Sequence, residues 1–500
     1  MIIMLAGKLL SLVANQVYMS YFGSDLEEIN IYSYAIQIPN YLFQTLGTAI
    51  SSVVIPLYAG LIAQEKKLEA DRFGSNIVTV SSAITLVLIG IGTALSFVLP
   101  SLTDFENKAF AGTALRIMMP VMLFYCLSFA FQGILQSLGE FTVPALVNLP
   151  SGILIILYIR FFADRYGVTG LLATTFIGLF LQFAILIIPA RIRGFRYRPT
   201  FDLKDPQLKT AGRMTLPIIV GAGAYQLNML FNNTLMTRVS KDSVTLFNFV
   251  QTLILSSVMT IVLAITSVMY PTMTAYEAKG DREGFKRSLS STVSSMLFIL
   301  IPITAGLILM RTEFLSLISK WGKITEKDIG VESAFLLAYC LSVPFLGVKE
   351  IADRAFYSMK TTKISAITGV LIMVINIVLG YLLSMTGLKQ FGIPLAYSIA
   401  AALGTVFLVY KLIKKTGKPD KSLYESLIKT VVSTAIMSGA VFLISRLIPR
   451  GDSVVSRLIS LGVPALAGIV VFFVSSLILK NPSLSNLLGK LLHRGGGEEG

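Results

Sequence analysis

From Ile31 to Ile62 the chain carries no charged residue. About 20 such residues are enough to cross the hydrocarbon of a bilayer as a helix, which satisfies every backbone N–H and C=O within the segment itself. This run is longer, so its helix must tilt, bend or protrude. Comparable runs recur along nearly all of the 500 residues, of which 54% are hydrophobic and only 14% charged. That balance excludes a soluble globular fold and predicts an all-α polytopic membrane protein.

Charged or turn-rich breaks divide the chain into about fourteen transmembrane helices, near 3–21, 31–62, 75–100, 111–137, 142–163, 169–190, 212–235, 244–275, 290–311, 333–358, 364–384, 393–413, 427–447 and 457–478. The weakest division, between spans four and five, rests on the turn QSLGEF. The first segment has no small-residue cleavage site and is expected to stay as a helix. With both termini cytoplasmic, the cytoplasmic segments hold the larger share of the 42 Lys and Arg, as the positive-inside rule requires. The cluster Arg191, Arg193, Arg196, Arg198 is then topogenic, with anionic lipid headgroups as a second role, and the net charge of +15 gives no reason to invoke nucleic acid. Cys126 and Cys340 fall inside apolar runs and His493 in the polar tail. Disulfides, thiolate or histidine metal sites and histidine catalysis therefore have almost no material, and no enzyme is expected.

The segment AISSVVIP (Ala49 to Pro56) recurs as AITSVMYP (Ala264 to Pro271), each at the end of a long span and before a charged loop. This puts span two in register with span eight and makes the repeat six helices long. The expected organisation is an N-lobe at 1–200, a C-lobe at 201–415 related to it by a pseudo-two-fold, two appended helices at 416–480, and a cytoplasmic tail at 481–500.

Polar residues fall in stripes at helical spacing on the first two helices of each repeat. Span one carries Lys8, Ser11, Asn15 and Tyr18; span two Gln37, Asn40, Gln44, Gly47 and Ser51. Span seven carries Gly221, Tyr225, Asn228 and Asn232; span eight Asn248, Thr252, Ser256 and Thr260, with Gln251 beside them. Hydrocarbon does not solvate amides, so each stripe faces other helices or a hydrated cavity. One such residue is best read as an interhelical contact; four stripes in matching places point to a cavity for a polar headgroup. Lys8 is either an interfacial lysine or a cation for an anionic headgroup. Lys349 with Asp353, and Glu350 with Arg354, have i,i+4 spacing and are expected to form ion pairs, or a gate that breaks on opening.

The segments GILQSLGEFTVPALVNLP (Gly133 to Pro150), IPN (Ile38 to Asn40), VMYPTM around Pro271 and KEIADRAFYSMKTTK (Lys349 to Lys363) resemble the MurJ family of lipid II flippases. The resemblance implies the multidrug/oligosaccharidyl-lipid/polysaccharide exporter fold, with helices one, two, seven and eight around a central cavity. It implies movement of an undecaprenyl-pyrophosphate-linked headgroup by alternating access, membrane lipids as surroundings and the cell-wall synthesis machinery as a partner. Family members carry an arginine and an acid in helix one where this chain has Ala14 and Asn15, and arginines near Phe43, Gln44 and Thr252. Lys8 is then the most obvious intramembrane cation. No cofactor is implied. The family's sodium-associated acids align with Asn232 and Gly380, only Asn376 matching, which argues against a bound sodium. The alternatives are a flippase for another polyprenyl-linked polysaccharide, a cation-coupled drug antiporter using Glu350 or Asp353, and a non-transporting scaffold.

Overall fold

The computed structural model describes the chain except residues 1, 321, 360, 449–450, 452 and 485–500, and except side chains at 2–9, 213–222 and scattered positions, chiefly within the second, ninth and tenth helices. Every element among the described residues is helical. The helices are α1 (Ile2–Phe22), α2 (Glu27–Ala63), α3 (Lys67–Leu95), α4 (Lys108–Met118), α5 (Val121–Ser137), α6 (Thr142–Leu146), α7 (Leu149–Phe161), α8 (Ala163–Ile192) and α9 (Pro206–Val239). They continue with α10 (Val244–Ala278), α11 (Arg282–Leu309), α12 (Arg311–Ser319), α13 (Glu326–Cys340), α14 (Val343–Ser358), α15 (Thr362–Ser384), α16 (Gly392–Thr416), α17 (Lys421–Leu447) and α18 (Val454–Ile478). Eleven segments among the described residues are long and apolar enough to cross a membrane. The other three expected spans coincide with α1, α2 and α9, helical over 21, 37 and 34 residues.

Three expected spans are each two helices in tandem: α4 with α5, α6 with α7, and α13 with α14. The breaks follow from proline, which has no N–H to donate and crowds the preceding turn. Pro120 caps α5, and prolines open α7 and α14 at their first turns. The short α12 was not expected. The turn between spans four and five sits where QSLGEF falls, closed by Gly139 at φ +78°, where a side chain would be strained.

Packing divides the chain into two compact units, Met1–Phe249 with Trp321–Ile324, and Val250–Lys320 with Thr325–Gly500. This division differs from a boundary at residue 200, because α9 lies along α2 inside the first unit. In that unit α2 also packs on α5, and α7 on α8. In the second, α15 pairs with α16, α17 with α18, and α11 with α14 and α17. Small residues permit the close approaches: a Cβ on Gly178 of α8 would lie 2.8 Å from the Cα of Ser151 on α7. Buried hydroxyls satisfy themselves on their own helix, as Ser81 Oγ does on the Ile77 carbonyl at 2.6 Å and Thr304 Oγ1 on that of Leu300 at 2.7 Å. Large apolar side chains such as Ile177, Leu443 and Leu466 are exposed, a surface suited to lipid. Both repeat segments are helical, Ala49–Pro56 in α2 and Ala264–Pro271 in α10, with many of their side chains outside the described residues. Residues 481–484, the start of the segment expected as a cytoplasmic tail, pack within the second unit. Asn481 Nδ2 donates to Thr430 Oγ1 at 3.0 Å, and Ser483 Oγ lies 2.6 Å from Ser294 Oγ.

Candidate functional site

In the first unit the polar residues of α2 and α9 meet one another. Tyr34 of α2 hydrogen-bonds Thr234 of α9 at 3.2 Å, and Tyr41, two turns on, faces Asn233. Asn233 Nδ2 donates to Asn248 Oδ1 at 2.6 Å, which ties α9 to the start of α10. Asn30 and Ser33 complete the seam: Thr245 N donates to Asn30 Oδ1 at 2.9 Å, and the Ser33 and Thr245 hydroxyls are 2.9 Å apart. The seam forms because 30, 33/34, 37 and 41 fall on one face of a helix, and an apolar neighbour would strand their hydroxyls and amides.

The residues expected to line a cavity are distributed unevenly about this seam. Asn228, Asn232, Asn248 and Gln251 are buried, and Gln251 Nε2 donates to Tyr339 Oη at 2.9 Å within the second unit. Ser11, Asn15, Gln37, Asn40 and Thr252 are half-buried, Asn40 Nδ2 lying 3.4 Å from Gln37 Oε1, and Tyr225 is exposed. The side chains of Lys8 and Gln44 lie outside the described residues. Among the described residues, Asn228 Oδ1 and both polar atoms of the wholly buried Asn232 find no hydrogen-bond partner. Such orphaned amides cost about 1–3 kcal/mol each, a cost that a packing role alone does not explain. Asn233, Tyr34 and Tyr41 were missed in the sequence. Asn233 falls one position off the Asn228–Asn232 stripe, and the signal that finds it is its own stripe with Thr237.

In the second unit α14 carries both i,i+4 ion pairs: Lys349 Nζ to Asp353 Oδ2 at 2.6 Å, and Arg354 to Glu350 Oε1 at 2.9 Å. The Arg354 guanidinium also lies over the Tyr270 ring at 5.6 Å. Asp353 is 4% exposed and its Oδ1 has no partner. Outside the spans, Arg193 pairs with Glu140 across the ends of the α5–α6 turn and α8. The hydrogen bond from the Arg193 guanidinium, helped by the Thr142 N–H, holds the Glu140 carboxyl below its ordinary value of 4.5. Cys126 and Cys340 are free and buried, and no group of three or more metal-ligating side chains occurs among the described residues.

A family model described as lipid II flippase MurJ matches residues 19–462. A probable lipid II flippase MurJ of Thermotoga maritima is 24% identical over 494 residues, covering 97% of each chain. The lipid II flippase MurJ of Thermosipho africanus is 27% identical over 418 residues, covering 81% of this chain and 83% of its own. A solved structure of lipid II flippase MurJ in an inward closed conformation shares the fold at a TM-score of 0.78 and 24% identity, covering 95% of this chain and 97% of that one. An inward-facing MATE family multidrug resistance transporter follows at 0.68 and 17%, covering 83% and 99%. With residues 19–462 matched to one family model, in a chain with eleven segments among the described residues long and apolar enough to cross a membrane, the chain belongs to the MurJ family of lipid II flippases.

Proposed function

We propose that this multi-pass membrane protein moves the lipid-linked peptidoglycan precursor lipid II from the inner to the outer leaflet for cell-wall synthesis. The family match along nearly the whole chain carries the reading. The buried, partly unsatisfied amides of α9 give it chemistry, because a glycan and pyrophosphate headgroup supplies the donors and acceptors that Asn228 and Asn232 lack. The polyprenyl tail stays in lipid while the headgroup crosses, and the transporter alternates between two states.

In this reading both termini are cytoplasmic, the repeat gives two six-helix lobes, and Lys8 supplies a cation for the pyrophosphate. No cofactor takes part, and a bound sodium is disfavoured because Asn232 and Gly380 stand where some relatives carry acids, although Asn376 matches. The α14 ion pairs act as a gate, and the protein works beside the cell-wall synthesis machinery.

Complementation of a strain depleted of its own lipid II flippase tests the reading. Rescue by the wild type, with Asn228→Leu inserted but inactive, supports transport through the amides. Equal rescue by both favours a scaffold. Failure of an expressed, inserted wild type rejects lipid II as substrate in favour of another polyprenyl-linked glycan.

A further inference from the structure

Away from the stripes and ion pairs, Glu332 is set apart by its surroundings. It lies on α13, one turn beyond the capping box of Thr325 and Asp328, and is 0% exposed. An ionised carboxylate is among the costliest groups to remove from water, and where it is tolerated a cation or several donors compensate it. Here neither oxygen has a geometrically sound hydrogen-bond partner, and the polar side chains acting on it are the Ser319 hydroxyl, at the end of α12, and Asp328. Ser319 is itself wholly buried.

Several of the other charged groups on the elements packed around Glu332 have partners of their own, and Lys327 of α13 itself is exposed. Asp328 accepts from Thr325 N at 2.8 Å and Thr325 Oγ1 at 2.7 Å. On α12, Arg311 donates to the Ile308 carbonyl at 2.7 Å, and Glu313 stands in the first turn. Lys320 pairs with Glu326. Arg457 of α18, the helix beside α12, donates to the carbonyls of Ser316 at 3.2 Å and Lys320 at 2.8 Å. The charges of α11, Arg282 to Arg287, and of α16, Lys411 to Lys415, lie at the far ends of those helices, and Lys389 sits in the 3-10 turn before α16. No cation is paired with Glu332 among the described residues.

Two ligands neutralise such a carboxyl, a metal ion or a proton. Oxygen-ligated cations of the calcium or magnesium kind take about six or more ligands. Among the described residues, the polar side chains acting on Glu332 are one serine and Asp328, whose Oδ2 is already taken by Thr325. A proton needs none of these, and the resulting acid has an O–H to give to Ser319. We propose that Glu332 is a proton-binding site of the second unit, holding its proton in the packed joint between α12 and α13. The site shares no residue with the α9 amides and does not depend on which glycan is carried.

Infrared spectroscopy of the purified full-length protein in lipid tests the proposal. The expected result at neutral pH is a carbonyl stretch of a protonated, weakly hydrated carboxyl that shifts in heavy water. It is absent from Glu332→Gln, which keeps size and shape, and displaced in Glu332→Asp, which serves if the glutamine variant does not insert. The absence of such a band in the wild type, or its persistence unchanged in both variants, overturns the proposal. So does its loss on adding sodium at constant pH, since the carboxyl then binds a metal ion.

Discussion

Replacing Lys349 with methionine is expected to destabilise the protein by about 3 kcal/mol, far more than an i,i+4 pair on a helix surface is worth, about 0.5 kcal/mol. The magnitude comes from what is left behind. The Asp353 side chain is only 6% exposed, and among the described residues one oxygen has no partner while the other is held by Lys349 at 2.6 Å. Stranding a buried charge costs about 3–5 kcal/mol, and the 23% exposure of the lysine side chain puts this site at the lower end. The reverse change, Asp353→Asn, frees a lysine whose long stem can carry its charge to water, and costs about 1 kcal/mol. The double variant strands no charge and should also cost about 1 kcal/mol, which makes the coupling between the two about 3 kcal/mol. At the neighbouring pair, with side chains 33% and 20% exposed and a Tyr270 ring under the guanidinium, Arg354→Met should cost about 1–2 kcal/mol. Denaturant titration in mixed micelles, followed by circular dichroism, measures all of these. The reasoning is refuted if Lys349→Met costs no more than Arg354→Met, or if the double variant costs the sum of its parts.

Asn232→Leu removes an amide that no neighbour satisfies, so it should leave stability unchanged or raise it by about 1 kcal/mol while abolishing flipping in vesicles; a stability loss of that size would show the amide to be structural. Gly178→Leu places a side chain against the α7 backbone at Ser151 and should cost about 1–3 kcal/mol or prevent insertion, read by the same titration. Glu140 is held below 4.5 in the folded protein, so its contribution is complete above that pH and is lost as the pH falls through the depressed value. Stability measured from about pH 6 to pH 3 should therefore decline less steeply in Glu140→Gln than in the wild type, and parallel curves would assign the acid sensitivity to other groups.

The spans were legible because each transmembrane helix carries its own apolar requirement, independent of its neighbours. Their interruptions were not, since the breaks before Val121, Leu149 and Val343 leave hydropathy untouched on either side. The prolines near them, at 120, 150 and 344, were the available signal. Periodicity found Asn228 and Asn232 but could not say what they face, because a stripe fixes a direction around a helix and not the neighbour standing there. The compact units are set by how α2 and α9 pack, a tertiary choice with no local mark. Glu332 lies just outside the expected span at 333–358, where nothing in the sequence distinguishes it from Glu326, and its burial is what sets it apart.

The docking of residues 481–484 bears on how the protein is made. Asn481 and Ser483 bridge α17 to Ser294 of α11, and Leu484 joins the apolar cluster of Phe298, Met437 and Phe472. Ser294 and Ser483 are 189 positions apart, a delay of about 10–40 s at ordinary rates of synthesis. Through that time α11 is in the membrane without these partners, and the joint closes only after α18 has emerged from the ribosome. A chain stopped at Ile478 would keep every span found among the described residues and still lack the stitch between α11 and α17, which makes the position of a carboxy-terminal fusion or truncation, before or after Leu484, a matter of assembly and not of convenience.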